Sequence, residues 1–269
     1  TIHLEHEFIS FEENTVLFKT KEESKIVNFD FCVFALGGAS WKVTGSDGNW
    51  LSIFEKKGIK TQPFQASNCG LEVDFPKEFI EKLAGYPLKN IAISSGNKTF
   101  KGEALITKYG LEGNAIYPIS AEVRKLFLEN KKASIYIDLK PNNTLEDLEN
   151  KITAKLLPKN YGYTFKISKL QIALLKEFTN KHTYLTPTEF VKHLKKLEIP
   201  INKLRPIDEA ISTVGGISLD EINDDLSLKK IPNIYIAGEM FDWDTITGGY
   251  LLQGCFSTGF HVAQSILQK

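Results

Sequence analysis

The feature that most constrains this fold is a set of apolar, strand-like runs that end in glycine. Three such runs occur: Phe31–Leu36 before Gly37 and Gly38, Ala210–Val214 before Gly215 and Gly216, and Ile234–Ala237 before Gly238. The run Phe31–Leu36 is continuously apolar and predicts a buried central strand, as in the parallel sheets of α/β proteins. Glycine in ordered backbone costs about 0.5–1 kcal/mol relative to alanine, so its repeated placement at strand ends needs an explanation. A dinucleotide lying along one sheet edge is one explanation, and a tight turn at each site is the other.

The loop after the third run carries most of the polar groups. It reads Gly238-Glu239-x-x-Asp242-x-Asp244, followed by Thr247-Gly248-Gly249-Tyr250. We expect Gly238 to let a ligand approach the main chain, and Asp242 to accept hydrogen bonds from ribityl or ribose hydroxyls. A helix predicted from about Gly249 to Leu267 would direct its free N–H groups and positive dipole end at negative charge. Reduced flavin carries such charge at its N1–C2=O edge, so the loop predicts a flavin site. The alternative is a plain turn capped by Asp.

The order of patterns along the chain predicts four segments. Residues 1–60 read as a hairpin, a buried strand and a helix over about Asn49–Lys57, and residues 61–141 as short strands of a small antiparallel sheet or barrel. Residues 142–204 have helical periodicity. Within the β-rich segment, helices are expected at Lys77–Leu83 and Ala121–Glu129, and a strand at Ala115–Ile119. In the helical segment, Thr186-Pro-Thr-Glu189 predicts a capping box that opens a helix ended by Pro200. Residues 205–269 return to β/α character.

Composition excludes several classes of protein. The chain has 33 basic and 33 acidic residues among 269, and this neutrality argues against a nucleic-acid partner. Three scattered cysteines fit neither a disulfide framework nor a zinc site and favour a reducing, cytoplasmic location. No apolar run reaches the roughly 18–20 residues needed to span a membrane. The five histidines show no metal-binding spacing, so no metal is expected.

Four ordered segments resemble a known family. They are Ala35-Leu-Gly-Gly-Ala-Ser-Trp-Lys-Val-Thr-Gly-Ser-Asp-Gly-Asn-Trp50, Gly102-Glu-Ala-Leu-Ile-Thr-Lys-Tyr-Gly-Leu-Glu-Gly113, Thr213-Val-Gly-Gly-Ile217 and Ala237-Gly-Glu-Met-Phe-Asp-Trp-Asp-Thr-Ile-Thr-Gly-Gly-Tyr-Leu-Leu-Gln253. They resemble the BaiN-like (aminoacetone-oxidase-like) bacterial flavoproteins over essentially the whole chain. The match is strongest to an uncharacterised subgroup with Trp after GGAS and with GGYLLQ in place of GGYNLQ.

The resemblance implies a glutathione-reductase-like FAD domain of the α/β class, interrupted by a β-barrel-like domain and a small helical domain. It implies FAD contacts at Gly37, Gly38, Gly238, Glu239, Asp242, Gly249, Tyr250 and Gln253. Gly248 joins this set through the helix-start argument, and Leu251 stands where the common form has Asn. The implied activity is that of an FAD-dependent oxidoreductase acting on a small molecule, with NAD(P)H as donor. No catalytic residue is identified. The alternative is a non-catalytic flavin-binding or assembly module, or an inert fragment.

One family element is absent from these residues. No G-x-G-x-x-G occurs in the 269 residues, and that turn anchors the pyrophosphate of a dinucleotide. We therefore expect a fragment that lacks the N-terminal dinucleotide-binding segment and binds FAD weakly or not at all by itself. Either another chain supplies that segment, or the central sheet is left open.

Overall fold

The computed structural model describes residues 1–269 and contains both strands and helices in the predicted mixture. The strands are β1 Glu7–Phe11, β2 Thr15–Lys19, β3 Ser24–Asn28, β4 Cys32–Phe34, β5 Thr61–Ser67, β6 Leu71–Glu72, β7 Pro87–Ser95, β8 Lys98–Ile106, β9 Gly110–Glu112, β10 Ala133–Asp138, β11 Leu197–Ile201, β12 Lys203–Leu204, β13 Ser212–Ile217 and β14 Ile234–Ile236. The helices are α1 Leu51–Lys56, α2 Lys77–Leu83, α3 Ser120–Asn130, α4 Leu145–Glu149, α5 Tyr161–Thr164, α6 Lys169–Phe178, α7 Lys181–Leu185, α8 Pro187–Lys195 and α9 Tyr250–Leu267. None of these helices is both long and apolar enough to cross a membrane.

The chain forms two compact units, residues 1–67 with 207–269, and residues 68–206. The first unit contains the parallel pair β4–β14, in which Ile234 lies opposite Cys32 and Ile236 opposite Phe34. It also holds the antiparallel sheet β1-β2-β3 and the antiparallel pair β5–β13. Its core is aromatic, because Phe11, Phe34 and Phe54 pack with ring centroids about 5 Å apart.

The strand at β4 is less buried than the apolar run predicts. Val33 is 45% exposed, whereas Phe34 is buried. The parallel sheet of this unit has only the two strands β4 and β14. The register partner of Val33, Tyr235, is fully buried against Val262 of α9, so that face is covered at β14 but not at Val33. The expectation of burial on both faces is therefore wrong for Val33.

The second unit is built on a seven-stranded antiparallel sheet of order β11-β10-β7-β8-β9-β6-β12. The outermost strands β11 and β12 are consecutive in the chain and are separated only by Asn202. The sheet must therefore curl back on itself, as a partly open barrel does. One apolar core joins this sheet to the helices of residues 142–195. The division into four segments stays a prediction, and the structure groups its two middle segments in one unit.

The ends of the second unit lie close together. In β6 and β12, Leu71 pairs with Leu204 near the points where the chain enters and leaves the unit. In the first unit, β5 and β13 form a pair in which Ser67 lies opposite Ser212. Residues 68–206 therefore begin and end at neighbouring positions.

Three local predictions in the second unit are wrong. Ala115–Ile119 is not a strand, because Gly113 O accepts hydrogen bonds from two following N–H groups and a 3-10 turn forms at Tyr117–Ile119. Thr186 precedes α8 without capping it, since its hydroxyl donates to the carbonyl of His182 at 2.9 Å. Pro200 does not end the helix, which stops at Lys195. Pro200 instead lies in β11 opposite Ser134.

Candidate functional site

Three strand-end segments meet at one place in the first unit. The carboxylate of Glu239 accepts a hydrogen bond from the backbone N–H of Thr213 at 3.0 Å. The Thr213 hydroxyl in turn accepts from the backbone N–H of Ala39 at 3.3 Å. The structure therefore brings Gly37 and Gly38, Gly215 and Gly216, and Gly238 and Glu239 together. The three segments do not share one sheet edge, however, because β13 pairs with β5 in a separate sheet from β4 and β14.

Some of these glycines are required by the packing of the chain itself. A Cβ atom on Gly38 would lie 2.2 Å from the Thr213 hydroxyl oxygen, and one on Gly216 would lie 2.3 Å from the Met240 carbonyl oxygen. A Cβ atom on Gly215 would lie 2.5 Å from the Pro63 carbonyl oxygen. Close approach of the Thr213 side chain at Gly38, and of backbone at Gly215 and Gly216, is thus sufficient to explain glycine at these three positions without a ligand.

Two other glycines of the site, Gly249 and Gly238, have more room. Gly249 has a φ of +87° and no atom of the protein within 4 Å of an added Cβ atom. At Gly238, the nearest such atom is the sulfur of Cys255 at 3.7 Å. Both positions have positive φ, which glycine adopts without strain. They leave room for a group that approaches the backbone from outside.

Helix α9 begins directly after this open position. Its first regular hydrogen bond runs from the N–H of Gln253 to the carbonyl of Gly249. The N–H groups of Tyr250, Leu251 and Leu252 precede that bond at the positive end of an 18-residue helix. The N–H of Gly238 donates to the hydroxyl of Thr258 at 3.0 Å and ties the helix to the strand-end segment.

The loop between them is held in one conformation. The N–H of Asp242 donates to the carbonyl of Ile217 at 2.8 Å, and the Asp244 carboxylate accepts from the Ser67 hydroxyl at 2.5 Å. The ring of Trp243 lies over Gly254, where a Cβ atom would approach it to 2.4 Å. The indole N–H of Trp243 is buried and has no hydrogen-bond partner in the structure. A buried donor without a partner is costly, so this N–H favours an acceptor brought by a bound molecule or a water.

The electrostatics of the site disfavour thiolate chemistry. Burial raises the pKa of the Glu239 carboxyl, although the N–H groups of Thr213 and Gly38 act against that shift. Burial, and then the charge of Glu239, raise the pKa of the Cys255 thiol. Burial also raises the pKa of Cys32 to about 11. These cysteines therefore remain protonated near neutral pH and are poor nucleophiles.

Sequence reasoning missed the residues that position the first glycine pair. The indole N–H of Trp50 donates to the carbonyl of Gly37 at 3.0 Å, and the Ser46 hydroxyl donates to the carbonyl of Gly38 at 2.8 Å. Thr213 links this pair to Glu239. Trp50, Ser46 and Thr213 all lie in the segments that resemble the flavoprotein family, close in sequence to a glycine pair. That closeness could have identified them as residues that position the glycines.

The predicted contacts at the helix start lie at the surface. Gly248, Gly249 and Tyr250 are exposed, and Leu251 is half-buried. Gln253 is also exposed, and its amide donates to the hydroxyl of Ser257 at 3.2 Å. No group of histidine, cysteine, aspartate and glutamate side chains is arranged to hold a metal ion. The contacts themselves stay predictions.

Comparison with known proteins gives the family of the chain. The model of the HI0933-like protein Rossmann domain matches residues 1–265. The chain belongs to this HI0933-like family. The mixed α/β prediction is thereby confirmed with a Rossmann-like, FAD-binding domain, and the family supports FAD as the cofactor. The finer assignment to a BaiN-like subgroup stays a prediction.

Three relatives of this HI0933-like chain are distant in sequence. A 3-dehydro-bile acid delta(4,6)-reductase from Clostridium scindens is 24% identical over 89% of this chain and 63% of its own length. Ribosomal RNA dihydrouridine synthases from Escherichia coli and Haemophilus influenzae are 21% and 25% identical, over 99% and 88% of this chain. The chain spans 68% and 60% of their respective lengths.

A solved structure gives a weaker match. The 3-ketosteroid-delta4-(5alpha)-dehydrogenase from Rhodococcus jostii RHA1 aligns over 96% of this chain and 58% of its own, with 12% identity and a TM-score of 0.38. A score this low carries no argument. The family and the curated relatives together indicate an FAD-dependent, oxidoreductase-like protein.

Proposed function

We propose that this chain forms the flavin-facing part of an FAD-dependent oxidoreductase that transfers electrons between flavin and a small organic substrate, with NAD(P)H as donor. The observation that carries this proposal is the start of α9 beside the joined strand ends. Gly249 leaves open space directly in front of the positive end of the helix. Such a helix end stabilises negative charge placed against it.

The residues present fit the flavin half of the cofactor. The backbones of Gly37, Gly238 and Gly249 would line it, and the orphaned indole N–H of Trp243 offers one more donor. Asp242 would accept hydrogen bonds from hydroxyl groups. The flavin supplies the redox chemistry when bound, while the protein supplies orientation and electrostatics. Glu239 positions the strand ends through Thr213 and Gly38 rather than contacting substrate.

The pyrophosphate half is proposed to be bound by residues outside these 269. The 269 residues contain no G-x-G-x-x-G. Two features of the first unit support this proposal. Strand β4 pairs with β14 alone, and the α9 side chains Leu252, Phe256 and Phe260 are 63–72% exposed along one stripe. Apolar surface of this extent usually packs against further protein. We therefore expect the 269-residue chain alone to bind FAD weakly.

The proposal is tested by FAD binding to the helix start. Tyr250→Glu places a carboxylate in the first turn of α9, where an acidic residue is compatible with the helix but repels a negatively charged ligand. We expect at least a tenfold weaker Kd for FAD, measured by quenching of flavin fluorescence. Gln264→Glu adds the same charge to an exposed position farther along α9 and is the matched control. Equal affinities of the two variants would remove α9 from the cofactor site.

The non-catalytic alternative makes a different prediction. A flavin-binding or assembly module would bind FAD but show no reduction of it by NADH or NADPH under anaerobic conditions. An oxidoreductase would lose flavin absorbance near its visible maximum after either donor is added. A chain that binds no FAD at any concentration would instead be the inert fragment.

RNA is a second candidate substrate class. Two of the relatives are named as ribosomal RNA dihydrouridine synthases, whereas the third is named as a bile acid reductase. The overall neutrality argues against nucleic acid, but the charge is unevenly placed. Residues 140–205 contain thirteen lysine and arginine residues against six aspartate and glutamate residues. Such asymmetry within a neutral chain is compatible with a nucleic-acid partner.

A further inference from the structure

The second unit contains a polar cavity remote in sequence from every residue of the flavin proposal. Its volume is about 290 Å³. The polar residues that line it are Lys89, Asn90, Lys140, Asn142, Asn143, Lys166 and Gln171. The other lining residues are uncharged, so three cationic groups share this cavity without a carboxylate in its wall.

The nearest ion pair does not neutralise these lysines. Asp138 lies two residues before Lys140, but its carboxylate is 2.6 Å from the ammonium of Lys195. Lys195 further donates to the carbonyls of Lys140 and Asn143 at 3.0 and 2.5 Å. This pair therefore supports the wall of the cavity and leaves its positive charge uncompensated.

The ammonium group of Lys140 has no carboxylate partner and lies near other positive charges. Its hydrogen bond is to the carbonyl of Lys166 at 3.3 Å, a neutral acceptor. Burial, and then the charges of Lys151 and Lys166, lower the pKa of Lys140. A bound anion would reverse this effect, because it would stabilise the protonated form of the lysine.

Two residues of the cavity wall have unusual backbone conformations. Asn90 has a φ of +54° and Lys166 a φ of +50°. Positive φ is uncommon for residues other than glycine, and asparagine is among those that adopt it most readily. Lys166 takes the left-handed position that ends α5, where the N–H of Ile167 donates to the carbonyl of Gly162. Asn90 lies where the register between β7 and β8 shifts. These conformations therefore follow from the secondary structure of the cavity wall, and the case for an anion rests on the lysines.

We propose that this cavity binds a phosphate group. Lysine ammonium groups bind phosphate as point charges, and asparagine amides add neutral donors. The volume admits one phosphate with its hydrogen-bonding neighbours. The group could belong to free phosphate or to a phosphodiester of RNA, which have the same chemistry. The site stands independently of the flavin proposal, since none of its residues belongs to that set.

The test uses the full 269-residue chain and two double variants. Lys89→Gln with Lys166→Gln removes two charges from the cavity at exposed side chains. Lys98→Gln with Lys101→Gln removes two charges from exposed positions on β8 and is the matched control. Circular dichroism confirms that both variants retain the fold. Inorganic phosphate is titrated by calorimetry, and a fluorescent single-stranded RNA oligonucleotide by anisotropy over a salt series.

We expect the cavity variant to lose at least tenfold in affinity for whichever probe binds, and the control variant to match the parent chain. For RNA, each lost phosphate contact lowers the slope of log K against log salt by about 0.7, so the cavity variant should lose about 1.4. Binding of phosphate without RNA identifies a small anion as the source, and binding of both identifies a phosphodiester. The proposal would be overturned if neither probe bound the parent chain, or if the cavity variant and the control variant lost affinity equally.

Discussion

At the scale of single residues, glycines that look alike in the sequence have different reasons to be glycine. Gly216 has a φ of +117°, and an added Cβ atom would lie 2.3 Å from a backbone oxygen. Gly259 lies in the regular part of α9 with no atom in the way. The sequence around Gly216 shows the glycine but not the distant Met240 carbonyl that makes it necessary.

Substitution of these two glycines should change stability in opposite directions. Gly216→Ala should lower the free energy of unfolding by about 2–4 kcal/mol through backbone strain and overpacking. Gly259→Ala should raise it by about 0.5–1 kcal/mol, because alanine has the better helix propensity. Urea unfolding followed by circular dichroism measures both changes. A neutral effect of Gly216→Ala would contradict the observed close approach.

The pKa of Glu239 makes stability depend on pH. Burial raises this pKa above its ordinary value of 4.5, so the folded chain binds more protons than the unfolded chain between the two values. The stabilising contribution of the protonated carboxyl is present below the unfolded pKa and is lost as pH rises through the folded pKa. Glu239→Gln retains an acceptor for the N–H of Thr213 but does not titrate.

The parent chain should therefore lose stability relative to Glu239→Gln as the pH is raised above 4.5, the ordinary pKa of the carboxyl. Urea unfolding of both proteins at each pH measures this difference. Asp74→Asn, at an exposed position, is the control that removes a carboxylate elsewhere. A parent-to-variant difference that stays constant as the pH rises would show that burial does not shift the Glu239 pKa.

At the scale of elements, hydrogen-bonded caps distinguish two helix starts that have similar sequences. Ser168 caps α6 by accepting from the N–H of Gln171 at 3.2 Å, and the side chain of Gln171 accepts from the N–H of Ser168 at 2.8 Å. Thr186 starts α8 without such a pair, because α7 places a carbonyl within reach of its hydroxyl. Both helix starts have the sequence of a capping box, and it forms only at Ser168 because no preceding helix carbonyl competes for the hydroxyl there.

Removal of the cap at Ser168 should destabilise the second unit. Ser168→Ala leaves N–H groups of α6 without their acceptor and should lower the free energy of unfolding by about 1 kcal/mol. Thr188→Ala, at an exposed position within α8, is the matched control and should change it by less than about 0.5 kcal/mol. Chemical unfolding measures both, and equal effects would show that the Ser168 contact contributes nothing.

At the scale of the whole molecule, local patterns predicted elements better than they predicted neighbours. The helices at Lys77–Leu83 and at the end of the chain lie where periodicity placed them, because amphipathic spacing is a local property. The meeting of Glu239 with Thr213, and the exposure of Val33, depend on which strands pair. Pairing between distant segments is not encoded in any short window, so sequence supplied the candidate site residues but not their partners.

Residues 68–206 should fold as an independent protein. Their apolar core includes Ile135 and Ile137 of β10, both fully buried, and the pairing of Leu71 with Leu204 holds the two ends together. We expect this segment, expressed alone, to unfold cooperatively in urea. Ile137→Ala should lower its free energy of unfolding by about 2–5 kcal/mol. A broad, non-cooperative transition in the parent segment would contradict this expectation.

The adjacent ends of the second unit bear on how such proteins diversify. A segment that leaves its host beside the point where it entered can be exchanged by recombination with little change to the path of the host strands. Here the host positions Ser67 and Ser212 already face each other across a hairpin-like pair, which a short turn could close. Recombination at this junction would therefore exchange the second unit as a whole and leave the strands of the first unit unchanged.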